Sequence, residues 1–125
     1  MEKLKNKLVL IVDDEDRNTF ALSSYLETFD MVCKIARNGE EAIAFLNKNE
    51  ADIILLDMMM PIMDGYETLN VLQQNENFRQ IPVIAVTARA MKGDKEKCID
   101  AGAWDYVSKP IDLKILIDKM TRWII

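Results

Sequence analysis

The chain has no histidine and only two cysteines among its 125 residues. Cys33 and Cys98 form no Cys-x-x-Cys pair, so the donor sets of zinc sites are missing, and the two thiols read as reduced and structural. A long apolar stretch is missing as well. The charged start Met1–Lys7 is followed by nothing that resembles a signal peptide or a membrane span, and the protein is expected to be soluble and cytoplasmic. Excess positive charge is also absent. A formal net charge of −5 repels nucleic acid and anionic lipid, so neither is expected as a direct ligand. There is no linker, repeat or low-complexity segment. Half the residues are hydrophobic and 30% are charged, the composition of one globular domain, expected over residues 1–125 with its core at about 8–123.

What is present is alternation. Five short apolar runs recur: Leu8–Val12, Met31–Ala36 (interrupted by Lys34, which suits a less buried position), Ile53–Leu56, Val83–Val86 and Trp104–Val107. Continuous apolar runs of this length fit strands covered on both faces. Between them lie helical patterns. In the first, Asn18, Leu22, Tyr25, Leu26 and Phe29 share one stripe. Further helices are predicted over Glu40–Asn47, Tyr66–Gln74, Lys95–Ala101 (stopped by Gly102) and Asp112–Trp123, with Asp112 as an N-cap. Strict strand–helix alternation implies a parallel sheet with helices on both faces. Five such units fit a flavodoxin-like, doubly wound α/β fold with strand order 2-1-3-4-5, an order already known for this architecture.

Sheets of this kind collect ligands beyond the carboxyl ends of their strands. Asp13, Asp14, Glu15 and Asp16 follow the first strand, Asp57 ends the third, Thr87 follows the fourth and Lys109 the fifth. Each has an ordinary reading: helix caps for the acidic run, a loop carboxylate, a turn residue, a surface charge. Their convergence at corresponding strand ends favours a site. Two carboxylates about 5 Å apart repel by about 3 kcal/mol at an effective dielectric near 20. Three therefore call for a cation or for raised carboxyl pKa values. An open all-oxygen site with few carboxylates suits Mg²⁺ better than Ca²⁺, and the ion together with Lys109 would attract a phosphoryl group.

At these residues the sequence resembles a known family. The stretches Val12-Asp13-Asp14-Glu15-Asp16, Leu55-Leu56-Asp57-Met58-Met59-Met60-Pro61-Ile62-Met63-Asp64-Gly65, Val86-Thr87-Ala88 and Val107-Ser108-Lys109-Pro110 resemble the receiver domains of two-component response regulators. Residues 90–98 look like receivers of hybrid sensor kinases in particular. The resemblance implies that Asp57 accepts a phosphoryl group from phosphohistidine on a histidine kinase or histidine phosphotransfer domain. It implies Mg²⁺ held by Asp14, Asp57 and the Met59 carbonyl, with Asp13 acting through water. Lys109 and Thr87 would bind phosphoryl oxygens, helped by backbone N–H groups near Met59 and Ala88. Tyr106 would be the switch aromatic, and Lys109–Pro110 a cis peptide. Such a chain is a signalling module rather than an enzyme acting on other molecules, although it promotes its own phosphorylation and slow dephosphorylation.

Three other classes fit less well. An aspartyl-nucleophile phosphatase needs a second Asp two residues beyond the nucleophile, where this chain has Met59. A flavodoxin-like FMN carrier needs neutral donors after the first strand, where the acidic run would repel the phosphate. A degenerate receiver that only binds proteins would not need the full acidic pair, acceptor, Thr and Lys. Two further expectations concern surfaces. The resemblance implies that Met59 and Arg89, each two residues beyond a site residue, flank the path of the attacking water and govern the lifetime of the acyl phosphate. Phe20 lies about 160° around the first helix from Leu22, so it is expected to be exposed; the resemblance implies that this helix lies near the docking surface for the phosphohistidine-bearing partner, which Phe20 would anchor.

Overall fold

A computed structural model of the chain describes residues 2–60, 63–87 and 93–124. Strands β1 (Leu8–Val12), β2 (Val32–Ala36), β3 (Ile53–Asp57), β4 (Val83–Thr87) and β5 (Asp105–Ser108) alternate with helices α1 (Asp16–Glu27), α2 (Gly39–Lys48), α3 (Gly65–Gln74), α4 (Asp94–Asp100) and α5 (Leu113–Trp123). The strands are parallel and form one sheet in the order β2-β1-β3-β4-β5, as the alternation predicts.

The apolar runs are continuous because successive side chains of the central strands enter opposite cores. Leu10, Val12, Ile54, Leu56, Val83 and Ala85 pack with Leu46 of α2, Leu69 and Leu72 of α3 and Cys98 of α4. Val9, Ile11, Ile53, Leu55, Ile84 and Val86 pack with Leu22 and Leu26 of α1 and Leu116, Ile117 and Met120 of α5. The stripe read on α1 faces this second core, with Tyr25 and Phe29 against it in edge contact with each other.

The expectation of cover on both faces fails at β2. Val32 and Ile35 are 43% and 45% exposed, because β2 pairs with β1 on one side only and its outer edge lies open. The buried interior also takes in two side chains outside residues 8–123, Leu4 and Ile124. Leu4 is carried under the sheet by a turn tied to the end of the α1–β2 connection, where Asn6 N–H donates to the Asp30 carbonyl at 2.8 Å. Asn6 and Asp30 both take left-handed backbone, which these short polar residues tolerate better than most.

Local signals set the helix ends. Asn38 accepts from Glu41 N–H, Asp64 from Glu67 N–H, and Asp112 from the N–H groups of Lys114 and Ile115, each satisfying an otherwise orphaned donor. Gly102 follows α4 with φ +120°, the helix stop expected of it. Among the described residues no helix is long and apolar enough to cross a membrane.

Candidate functional site

The acidic run after β1 does not cap α1 in the usual way. The N-cap position is Glu15, whose side chain makes no capping hydrogen bond. The run instead folds back toward the sheet: Asp13 N–H donates to the Ala36 carbonyl at 3.0 Å, and Asp13 Oδ1 accepts from Glu15 N–H at 2.9 Å. The register pairs Val12 with Leu56 and Asp57 with Val86, so Asp13 and Asp57 leave neighbouring strands at the same level. As a result, Asp13, Asp14 and Asp57 bring a carboxylate oxygen each within 4.8 Å of one another.

Asp57 is held from several sides. Met58 N–H donates to the Val86 carbonyl at 3.0 Å, and Met59 N–H donates to Asp57 Oδ1 at 3.1 Å. Gly65 closes the turn from the α3 side. A Cβ there would stand 2.5 Å from the Met58 Cα, so this approach of α3 to the strand end requires glycine. Lys109 N–H donates to the Thr87 carbonyl at 2.7 Å, and the Lys109–Pro110 peptide is cis, as expected. The ammonium of Lys109 then reaches Asp57 Oδ2 at 3.5 Å and Asp13 Oδ2 at 3.8 Å. Thr87 is buried at the end of β4. Ala88 and Arg89, named as a backbone donor and as a determinant of phosphoryl lifetime, lie outside the described residues. The Met59 side chain is 69% exposed.

The electrostatics match the crowding. Burial pushes the Asp57 carboxyl above its ordinary value; the Met59 N–H and Lys109 pull it down and the Asp13 charge pushes it up again, with an upward net result. Beside Asp13 and Asp57 lies a cleft of about 320 Å³ lined mainly by apolar side chains, among them Ile11, Leu22, Leu55, Val86 and Ile111. Three clustered carboxylates and a backbone turn offer oxygen donors only. That donor set fits a hard divalent cation of the Mg²⁺ kind, and among the described residues Lys109 is the one cation paired with the cluster.

Tyr106 is half-buried. The Lys119 ammonium lies 4.9 Å from its ring centroid and that of Lys95 5.8 Å. Lys119 also donates to the Tyr106 carbonyl at 2.7 Å and to Asp105 Oδ1 at 2.8 Å. Phe20 is 74% exposed on α1, just beyond the acidic run. Sequence reasoning passed over Arg37, whose guanidinium pairs with Asp16 and donates to the Asp14 carbonyl. The signal was available: Arg37 follows β2 as Asp13 follows β1, and the end of that strand was the one left unread.

Comparisons with known proteins agree with this geometry. Residues 9–121 match the response regulator receiver domain family. The chain is 36% identical over 118 residues to the polar-differentiation response regulator DivK of Brucella anthropi, covering 94% of this chain and 96% of that one. It is 37% identical over 115 residues to the signal transduction histidine-protein kinase BarA of Shigella flexneri, covering 92% of this chain but 12% of the kinase. It also spans 26% of a probable cyclic di-GMP phosphodiesterase of Vibrio cholerae, so several relatives carry this unit as a small part of a longer protein. Among solved structures, the receiver domain of the sensor histidine kinase PA1611 from Pseudomonas aeruginosa, determined with a magnesium ion coordinated in its active-site cleft, superposes with a TM-score of 0.86 at 31% identity, over 94% of this chain and 97% of that one. The receiver domain of Ssk1 from Saccharomyces cerevisiae, determined in complex with the histidine phosphotransfer protein Ypd1, gives 0.87 at 28% identity, over 96% and 90%. The chain belongs to the response regulator receiver domain family of two-component signalling.

Proposed function

We propose that the chain takes a phosphoryl group onto Asp57 from phosphohistidine on a histidine kinase or phosphotransfer protein. The observation that carries this reading is the meeting of three carboxylates within 4.8 Å, with Lys109 3.5 Å from Asp57. An Asp57 carboxylate oxygen forms the new P–O bond as the donor's P–N bond breaks and its electron pair stays on the imidazole nitrogen. The acceptor loses no proton, so no general base is needed, and positioning and charge neutralisation do most of the work. Thr87, at the end of β4, and Lys109, just after β5, would bind phosphoryl oxygens. Asp14, Asp57 and the Met59 carbonyl would hold Mg²⁺, with Asp13 acting through water, and the ion would bring positive charge to the cluster. Once Thr87 turns toward a bound phosphoryl group, the space it leaves lets the Tyr106 ring follow, a population shift between two surfaces. The whole reading applies to one domain over residues 1–125. Its site is cytoplasmic and faces a protein donor rather than nucleic acid.

The test uses acetyl phosphate, which needs no docking partner. Intact mass should show one added phosphoryl group in the presence of Mg²⁺ and none after chelation. Labelling that survives chelation, or that survives Asp14→Asn undiminished, would count against the ligand assignment.

Phe20 supports a docking role for α1. A ring 74% exposed beside the site offers a phosphohistidine-bearing helical domain an aromatic anchor of the type that dominates small interfaces. Phe20→Ala should slow transfer from a phosphorylated protein donor severalfold and leave acetyl phosphate labelling unchanged. Equal rates with the protein donor would remove Phe20 from the interface.

A further inference from the structure

Arg37 grips the acidic loop from the outer edge of the sheet. Its own backbone is fixed: Arg37 N–H donates to Glu41 Oε1 at 3.0 Å, and Asn38 beside it caps α2. From there the guanidinium straddles Glu15, pairing with Asp16 Oδ1 through one nitrogen and donating to the Asp14 carbonyl at 3.4 Å through the other. Ala36, one residue earlier, accepts from Asp13 N–H. The end of β2 therefore holds the loop at three places, Asp13, Asp14 and Asp16. Among the described residues the ion pairs to this loop come from two cations on opposite sides, Lys109 within the site and Arg37 outside it.

We propose that Arg37 is a positioning residue for metal binding: it fixes the backbone of Asp14 so that the exposed Asp14 carboxylate stays beside Asp13 and Asp57. This rests on the magnesium reading above. An aspartate has a short side chain, so fixing its carbonyl restricts where its carboxylate can go. Four consecutive acidic residues repel one another and, unrestrained, would spread into solvent. The planar guanidinium fork can hold two acceptors at once, which an ammonium cannot do with the same geometry. Outer partners that orient a metal ligand matter to affinity even without touching the ion.

The sign of the effect separates positioning from mere charge. A cation near the site repels Mg²⁺, so if Arg37 acted only through its charge, removing it would tighten binding. If it positions Asp14, removing it loosens binding. The Arg37–Asp16 pair is exposed, with side chains 53% and 78% accessible, so its loss should barely change folding stability and the effect should fall on the metal.

The experiment is a Mg²⁺ titration followed by backbone amide shifts. Both tryptophans sit at the opposite, amino end of β5, with Trp104 N–H bonded to the Val83 carbonyl and Trp123 to Asp105, so tryptophan emission would report poorly. Arg37→Ala should weaken Mg²⁺ severalfold, less than the roughly 10–100-fold seen when deeper outer partners are removed, and Arg37→Lys should fall between it and the wild type. In acetyl phosphate labelling, the half-saturating Mg²⁺ concentration should rise while the plateau rate stays. Unchanged or tighter binding in Arg37→Ala overturns the proposal, and wild-type affinity in Arg37→Lys overturns the two-acceptor grip. Asp14→Asn separates the two layers. If Mg²⁺ shifts persist in it, the site reading itself fails; if they vanish in it but remain wild type in Arg37→Ala, only the role of Arg37 fails.

Discussion

Asp57 and Asp105 are both nearly buried aspartates with a lysine at hand, yet their carboxyls move in opposite directions. Their side chains are 5% and 13% exposed, and burial pushes both upward. At Asp105, on the amino end of β5, Lys119 at 2.8 Å, Trp123 Nε1–H at 3.0 Å and Tyr106 N–H at 2.8 Å overcome that push and hold the carboxyl below its ordinary value. At Asp57, on the carboxyl end of β3, one backbone N–H and a lysine at 3.5 Å do not, and the carboxyl stays raised. The first aspartate is satisfied by its own protein and locks α5 to β5. The second has, among the described residues, only the more distant Lys109 as a near cation, a condition that favours a further cation as ligand.

The largest way to break this contrast is chemical. Asp57→Asn should abolish acetyl phosphate labelling, and stoichiometric labelling of the variant on another residue would show that the acceptor lies elsewhere. Next in size is the stability of the satisfied end. Asp105→Ala leaves the part-buried Trp123 Nε1–H without its acceptor and removes one of the two acceptors of Lys119, and should cost about 1–3 kcal/mol, or about 4–12 °C in Tm. Thermal unfolding followed by tryptophan emission reads this directly, since Trp104 and Trp123 pack edge to face beside Asp105.

A smaller effect of opposite sign is expected at the other end. Asp57→Asn removes a carboxylate repelled by its neighbours and should stabilise the fold by about 1 kcal/mol. The pH dependence sharpens the contrast further. A raised carboxyl means that the folded state binds the proton more readily, so ionised Asp57 destabilises the fold at neutral pH and that penalty fades as pH falls through its raised value. The advantage of Asp57→Asn over the wild type should therefore shrink on acidification while the pH is still above 3.8, the ordinary carboxyl value. Asp105 is the reverse case. Its contribution is fully present above 3.8 and is lost only below it, so the deficit of Asp105→Ala should hold constant through the window in which the Asp57→Asn advantage disappears. Denaturant melts across that window would show both.

The same contrast explains what the sequence could and could not reveal. Asp13, Asp14, Asp57, Thr87 and Lys109 were legible because they follow apolar runs whose strand ends a parallel sheet must align. The Lys119–Asp105–Trp123 cluster was not, because it joins residues 14 and 18 apart on a helix and a strand whose relative packing no local pattern fixes. The exposure of Val32 and Ile35 was hidden for a related reason: an apolar edge strand reads like a covered one until its neighbours are known. Leu4 is a lone apolar residue in a charged segment, without periodicity to announce its burial. Arg37 touches the acidic loop from 21 and 23 residues away, and only reading every strand end, β2 included, would have brought it forward.

The most direct test is a side-chain carbon NMR titration that follows the Asp57 and Asp105 carboxyls in one sample, with and without Mg²⁺. Without the metal, Asp57 should titrate above 3.8 and Asp105 below it; added Mg²⁺ should pull Asp57 down and leave Asp105 where it was. An Asp57 carboxyl that titrates below that of Asp105, or that ignores Mg²⁺, would contradict the account.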